Sequence, residues 1–76
     1  TKILVFENEK LQNIISDINE VYGSEIVIGS KGIKDCRITT KFDNQSLNAI
    51  FTILESAINI KVKQKGKKFE INGEDC

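Results

Sequence analysis

The stretch "KFDNQSLNAIFTILESAINIKV", residues 41–62, decides the fold because an earlier stretch of the chain has the same pattern. Residues 5–28, "VFENEKLQNIISDINEVYGSEIVI", align with it at a fixed offset of 36 positions and without a gap. The identical pairs are Phe6 with Phe42, Asn8 with Asn44, Leu11 with Leu47 and Ile14 with Ile50. Because the matches fall on apolar and turn positions, they indicate a structural repeat.

The first unit has the pattern of a strand, a helix and a strand. "KILVF" is short and β-branched, which favours a strand, and "EIVI" predicts a second one. Between them, apolar residues recur at helical spacing and predict a helix over about 9–21. These residues are Leu11, Ile14, Ile15, Ile18 and Val21. We expect Asn8 to cap this helix, Glu9 to favour its first turn, and Gly23 to end it with a positive φ.

The second unit repeats this order and adds one strand. "CRITTKF" alternates, which places Cys36, Ile38, Thr40 and Phe42 on one face. A helix follows over about 45–58; we expect Asn44 to cap it and Asn59 to end it in the left-handed conformation. "IKVKQ" and "KFEIN" flank "KGK" and predict a hairpin. Its core-facing residues are Ile60, Val62, Phe69 and Ile71.

These elements predict an α+β fold made of a tandem βαβ repeat, β-α-β followed by β-α-β-β, with two helices packed between small sheets. We expect one domain over residues 1–76, with repeat units at about 1–28 and 36–72. Each strand–helix–strand unit favours a parallel, right-handed strand pair. One unit cannot bury its helix alone, whereas two units can share a core. The predicted core residues are Leu11, Ile14, Ile18, Phe42, Leu47, Ile50 and Leu54.

Composition sets the broad class of protein. The chain is 39% hydrophobic, with eleven basic and eleven acidic residues, which is typical of a globular domain. The neutral balance gives no electrostatic reason to expect nucleic acid or an anionic membrane as the main partner. No apolar run approaches the roughly 20 residues that span a bilayer. Because the chain starts with Thr1 rather than Met, we expect it to be part of a longer protein.

The repeated pattern resembles the C-terminal domain of FecR-type transmembrane anti-sigma regulators, and most strongly those of Bacteroidetes-like bacteria. That pattern is Phe-x-Asn-x-x-Leu, a helix, Tyr-Gly, a strand, a loop, Phe-x-Asn-x-x-Leu again and a closing hairpin. Nearly the whole chain is covered. The matching positions are Phe6, Asn8, Leu11, Tyr22, Gly23, Phe42, Asn44 and Leu47. The related short N-terminal domain of secretins and TonB-dependent receptors shares the βαβ repeat and is an alternative.

The resemblance implies a periplasmic domain of a single-pass inner-membrane protein. Such regulators bind a sigma factor in the cytoplasm and contact the signalling domain of an outer-membrane TonB-dependent transducer. The partner implied is therefore a protein, and no nucleic acid, cofactor or small-molecule ligand is expected. The matching positions carry over as fold residues and not as a binding site.

The residues themselves argue against an enzyme. There is no histidine, so the usual general base at neutral pH is missing. Asp17 and Glu20 lie on the polar side of the first helix, where a solvated charge is the simpler interpretation. Two distant cysteines without histidine do not make a metal site. Cys36 is either a buried thiol or the partner of Cys76 in a disulfide, which a periplasmic location would allow.

Two further features suggest binding surfaces. Gly29-Ser-Lys-Gly32 resembles the GxxG loop of KH domains, which clamps an RNA backbone. The strand-like segments on both sides favour a crossover loop instead, so KH-like RNA binding stays as the alternative of another class. In the hairpin, Lys61, Lys63 and Lys65 alternate with apolar residues and face outward. They either protect a sheet edge or attract an acidic partner, and we take them as the candidate partner-binding residues.

Overall fold

A computed structural model gives the structure of the protein and describes residues 2–74. The first unit consists of β1 (Ile3–Lys10), α1 (Leu11–Tyr22) and β2 (Glu25–Ile28). A 3-10 turn (Lys31–Ile33) leads to the second unit, which consists of β3 (Arg37–Asp43), α2 (Leu47–Ala57), β4 (Ile60–Lys65) and β5 (Lys68–Gly73). The predicted α+β class and βαβ–βαββ order are confirmed. Both helices begin two residues later than expected.

The strands form two small sheets. In the first, β1 pairs antiparallel with β3. In the second, the order is β2-β5-β4, with β5 parallel to β2 and antiparallel to β4. The expectation that each strand–helix–strand unit forms its own parallel pair is therefore wrong. Strand β1 pairs with its counterpart in the other repeat, and β5 lies between β2 and β4, so neither unit pairs the two strands that flank its helix.

The β1–β3 register follows the sequence repeat. Val5 lies opposite Lys41, and these two residues occupy equivalent repeat positions. On either side, Leu4 lies opposite Phe42 and Phe6 lies opposite Thr40, which is the same pair with the two repeats exchanged. A pseudo-two-fold axis therefore passes through the Val5–Lys41 pair.

One apolar cluster fills the space between the sheets and helices. Six of the seven predicted core residues are fully buried, namely Leu11, Ile14, Ile18, Phe42, Ile50 and Leu54. Leu47 is half-buried and packs against the same cluster. Ile33 and Ile71 are also fully buried. Val21, expected in the apolar stripe of α1, is instead 42% exposed because it lies in the last turn, past the end of that stripe.

Asn8 and Asn44 do not cap the helices. Their φ angles are 49° and 54°, so both residues are in the left-handed region, which asparagine tolerates better than most residues. Asn8 lies at a bulge in β1, where the register with β3 shifts, and Asn44 follows the end of β3. Each lies three residues before the first residue of a helix, so the repeat alignment paired equivalent residues although their predicted role as caps was wrong.

The helix starts are stabilised by other groups. At α1, the amides of Leu11 and Gln12 donate to the carbonyls of Cys36 and Lys34, at 2.8 and 3.2 Å. Backbone of the crossover loop thus takes the place of a capping side chain. Glu9 lies in β1 rather than in the first turn, and its carboxylate accepts from the Lys10 amide. At α2, Ser46 is the cap, since its hydroxyl accepts from the amide of Ala49 at 3.2 Å.

The remaining turns use glycine where φ is positive. Gly23 ends α1 with φ 64°, as predicted. Gly66 has φ 64° as the first residue of the two-residue turn between β4 and β5. Asn59 was expected to end α2 in the left-handed conformation, but Ile58 ends that helix with extended backbone and its amide still donates to Leu54. Asn59 is not among the residues with positive φ, and β4 begins at the next residue, Ile60.

Cys36 is buried and is disulfide-bonded. The interpretation of Cys36 as an inward-facing residue of its segment is consistent with this burial, whereas its interpretation as a free thiol is wrong. Cys76, the only other cysteine of the sequence, lies outside the described residues.

Replacing Leu54 with alanine should lower the free energy of unfolding by about 2–5 kcal/mol, because it leaves a cavity at a fully buried position. That loss is a large part of the roughly 5–15 kcal/mol that stabilises a typical domain. Val21→Ala is the matched control at an exposed helix position and should cost less than about 1 kcal/mol. Urea unfolding measures both changes, and equal losses would contradict the packing described.

Replacing Asn44 with alanine should cost about 1 kcal/mol, because a β-carbon without a polar side chain disfavours φ 54°. Asn44→Gly should cost less than about 0.5 kcal/mol, since glycine adopts this conformation freely. Thermal unfolding of the two variants separates them. If alanine and glycine are equally tolerated, the left-handed conformation does not restrict this position.

Candidate protein-binding edge

The three candidate lysines lie on the solvent side of β4. Lys61, Lys63 and Lys65 are exposed, while Ile60 is buried and Val62 is half-buried on the opposite face. Because side chains alternate along a strand, the three lysines lie on the opposite face from Ile60 and Val62, as expected for a sheet with one face against the core. Of the three, Lys65 forms an ion pair with Glu70 at 3.2 Å. Within the described part of the chain, neither Lys61 nor Lys63 has a carboxylate within ion-pair distance.

Strand β4 is an edge of the three-stranded sheet, so half of its backbone groups point away from β5. Lys65 and Lys68 flank the two-residue turn and form a hydrogen-bonded pair, and hydrogen-bonded pairs then alternate along the hairpin. The backbone N–H and C=O groups of Val62 and Gln64 consequently face the open edge. An unpaired edge of this kind can accept a further strand.

A shallow groove of about 310 Å³ runs along this edge between α2 and β4. Its apolar floor includes Phe51, Phe69 and Val62, and the two rings lie 4.9 Å apart between centroids. Asn48, Thr52, Glu55 and Gln64 form its polar rim. Strand addition at β4 would thus bring an apolar side chain of the added strand over Phe51 and Phe69.

Glu55 partly occupies the edge. Its carboxylate oxygen Oε2 accepts a hydrogen bond from the amide of Val62 at 3.2 Å. Sequence reasoning missed this residue, because a glutamate on the polar side of a helix carries no local signal of a contact seven residues away. The offset of 36 between the repeats was the available clue, because it makes Ile26 on β2 and Val62 on β4 equivalent positions.

Glu70 links the lysine-bearing face to the central strand. A hydrogen bond from Asn72 Nδ2 at 2.9 Å holds the pKa of Glu70 below its usual value, and the Lys65 ammonium lowers it further. Lys63, which lies opposite Glu70 on β4, contributes in the same direction. The carboxylate of Glu70 therefore neutralises Lys65 in particular and leaves the positive charge of this face with Lys61 and Lys63.

The glycine-rich loop does not have KH geometry. Gly29 continues the ladder of β2, with its amide donating to Ile71 at 2.8 Å, and Lys31–Ile33 forms the 3-10 turn. The loop joins strands β2 and β3, whereas a KH loop joins two helices. Ile33 is fully buried, and the loop carbonyls cap α1, so the segment is part of the folded core. KH-like RNA binding is therefore not supported.

Metal-ligand clusters and membrane-spanning helices are both absent from the described residues. Residues 2–74 contain no group of three or more His, Cys, Asp or Glu that could hold a metal ion. Among the same residues, no helix is long and apolar enough to cross a bilayer. The open β4 edge, with its groove and its lysines, is suited to binding another polypeptide.

Fold and surface together define a duplicated βαβ domain with an accessible sheet edge. Residues 3–71 match the family model described as FecR, C-terminal, and the chain belongs to that family. A comparison with curated proteins found no match. Two crystal structures of a "putative anti-sigma factor" from Parabacteroides distasonis ATCC 8503, at 1.65 and 2.50 Å, each match with a TM-score of 0.87 and 22% identity. Each match covers 96% of this chain and 34% of the other, so this chain spans about a third of that protein and shares its fold.

Lys65→Gln should raise the pKa of Glu70 towards about 4.3, its value in unfolded peptides, because the nearest positive charge is removed. Since the folded-state pKa is lowered, the stability that Glu70 contributes is present above about pH 4.3 and is lost as the pH falls through the folded value. Carboxyl-carbon NMR titration measures the shift. Lys67→Gln, in the turn, is the control and should leave it unchanged; equal titrations of both variants would refute the assignment to Lys65.

Proposed function

We propose that this chain is a non-catalytic signalling domain of a FecR-like anti-sigma regulator, which binds a protein partner in the periplasm. The partner in this proposal is the signalling domain of a TonB-dependent outer-membrane transducer. In the full-length protein, a single membrane-spanning helix would connect this domain to a cytoplasmic segment that binds a sigma factor. Arrival of a substrate outside the cell would then be relayed to transcription.

The family match over residues 3–71 is the observation that carries the proposal. Two properties of the surface support it. The open edge and groove of β4 are suited to main-chain recognition of another polypeptide. Lys61 and Lys63, which lack ion pairs within residues 2–74, give this edge a positive charge although the whole chain is neutral. An acidic partner would be attracted to this side of the domain.

Replacing Lys61, Lys63 and Lys65 with glutamate should slow association with the transducer's signalling domain about tenfold or more at low salt, because attraction becomes repulsion. Folding should be almost unchanged, since exposed charges contribute little to stability. Surface plasmon resonance at two salt concentrations, using the signalling domain encoded beside the gene of the full-length regulator, measures the rate and its salt dependence.

A matched control replaces three other lysines, Lys31, Lys34 and Lys41, with glutamate and so changes the net charge by the same amount. Association that slows by the same factor in both folded variants would mean that net charge, and not the β4 face, governs the encounter. An unchanged rate in the first variant would remove the hairpin from the binding site.

A further inference from the structure

In each repeat, one side chain of the helix contacts the backbone of an edge strand of the three-stranded sheet. Asn19 on α1 contacts the backbone of Ile26 on β2, and Glu55 on α2 contacts the backbone of Val62 on β4. In both cases the strand residue lies seven positions after the helix residue, and the two contacts are related by the offset of 36. The same position of the repeat thus controls both edges.

At β2 this contact occupies the edge at Ile26. Asn19 Nδ2 donates to the carbonyl of Ile26 at 3.0 Å, and the amide of Ile26 donates to Asn19 Oδ1 at 2.9 Å. The carboxamide therefore makes both hydrogen bonds that a neighbouring strand would make with Ile26. Its Oδ1 also accepts from the hydroxyl of Ser24 at 2.9 Å, which fixes its orientation. Ile26 itself is only 3% exposed, so β2 offers little to an incoming strand.

At β4 the contact occupies only one of the two backbone groups of Val62 that face the edge. Glu55 accepts from the amide of Val62, but an ionised carboxylate has no proton to donate to the Val62 carbonyl. The side chain of Glu55 is exposed, so water can replace this single hydrogen bond. The backbone groups of Gln64, two residues further, face the same edge. Val62 and Gln64 together offer an incoming strand up to four main-chain hydrogen bonds once Glu55 moves away.

The charges beside the two edges also differ. On the outer face, Lys61 and Lys63 border β4, and neither is ion-paired within the described residues. The same face at β2 carries Glu25, which is paired with Lys68 at 3.7 Å, and Val27, which is 50% exposed. An acidic strand is therefore complementary to β4 and not to β2. On the inner side of β4, the groove over Phe51 and Phe69 fits apolar side chains.

We propose that β4 is the receiving edge of this domain and takes an extended partner strand in which acidic and apolar residues alternate. The strand pairs with Val62 and Gln64, displaces the Glu55 carboxylate from the Val62 amide, and places acidic side chains beside Lys61 and Lys63. Asn19 blocks β2 at Ile26. This proposal rests on the proposed function only in requiring a protein partner.

The test uses an eight-residue peptide with blocked ends that alternates Glu and Val, titrated into the isotope-labelled chain. In the wild type, amide signals of residues 60–65 should shift, and those of 25–28 should not. Glu55→Ala frees the Val62 amide and should bind about two- to tenfold more tightly, the net effect of one hydrogen bond. Glu55→Asn reproduces the residue of the first repeat and should bind at least about fivefold more weakly.

The controls separate this inference from the proposed function. A Lys/Val peptide of equal length should not bind, and Asn19→Ala should leave binding of the Glu/Val peptide unchanged. Shifts confined to 25–28 or to the helices, or equal affinities of the wild type and both Glu55 variants, would overturn the β4 assignment. The transducer's signalling domain is then measured on the same variants. If the signalling domain binds the wild type and both Glu55 variants equally well, the β4 assignment is wrong but the proposed function stands. If the signalling domain binds none of them, the proposed function is wrong, and the peptide titration still tests the β4 assignment.

Discussion

The antiparallel pairing of β1 with β3 is the constraint on which the rest of the structure depends. These strands belong to different repeats, and their register is centred on the equivalent residues Val5 and Lys41. The pairing therefore relates the two units by a pseudo-two-fold axis, and the rings of Phe6 and Phe42 meet across it at 6.1 Å between centroids. Because α1 follows β1 directly and α2 follows β3 after three residues, this pairing also brings both apolar stripes into one core, which neither unit could bury alone.

Strand β5 breaks this symmetry, since the first repeat has no counterpart of it. It lies between β2 and β4, so these two equivalent strands each have one free edge. The hairpin is closely packed where β5 ends. A β-carbon at Gly73 would lie 2.3 Å from the carbonyl oxygen of Asn59, so only glycine fits there without a shift of the backbone. The added strand thus completes the core, and it exposes an edge on each side of the sheet.

The sequence predicted those features that depend on periodicity within one segment. Element order, the buried stripes of both helices and the outward position of Lys61 and Lys63 follow from spacings of two or three to four residues. The parallel pairing of the two strands in each unit was predicted wrongly, and so was the capping of α1 by Asn8, because the true partners lie far along the chain. Asn8 and Asn44 have the composition of N-caps, but the carbonyls of Lys34 and Cys36 cap α1 and leave Asn8 to turn the chain. The Glu55–Val62 contact, central to the candidate edge, had no local signal for the same reason.

The repeat gives the two sheet edges of this small, neutral domain different hydrogen-bonding groups. Two edges related by symmetry begin with equal capacity to pair with other chains, which exposes the protein to unwanted association. A single difference at the same repeat position, asparagine in one unit and glutamate in the other, changes the two edges in opposite directions. The carboxamide donates and accepts, so it satisfies a backbone residue completely, whereas the carboxylate only accepts. The hydrogen-bonding difference at this repeat position is therefore set by one side chain on each helix, and the charges of Glu25 on β2 and of Lys61 and Lys63 on β4 add a second difference.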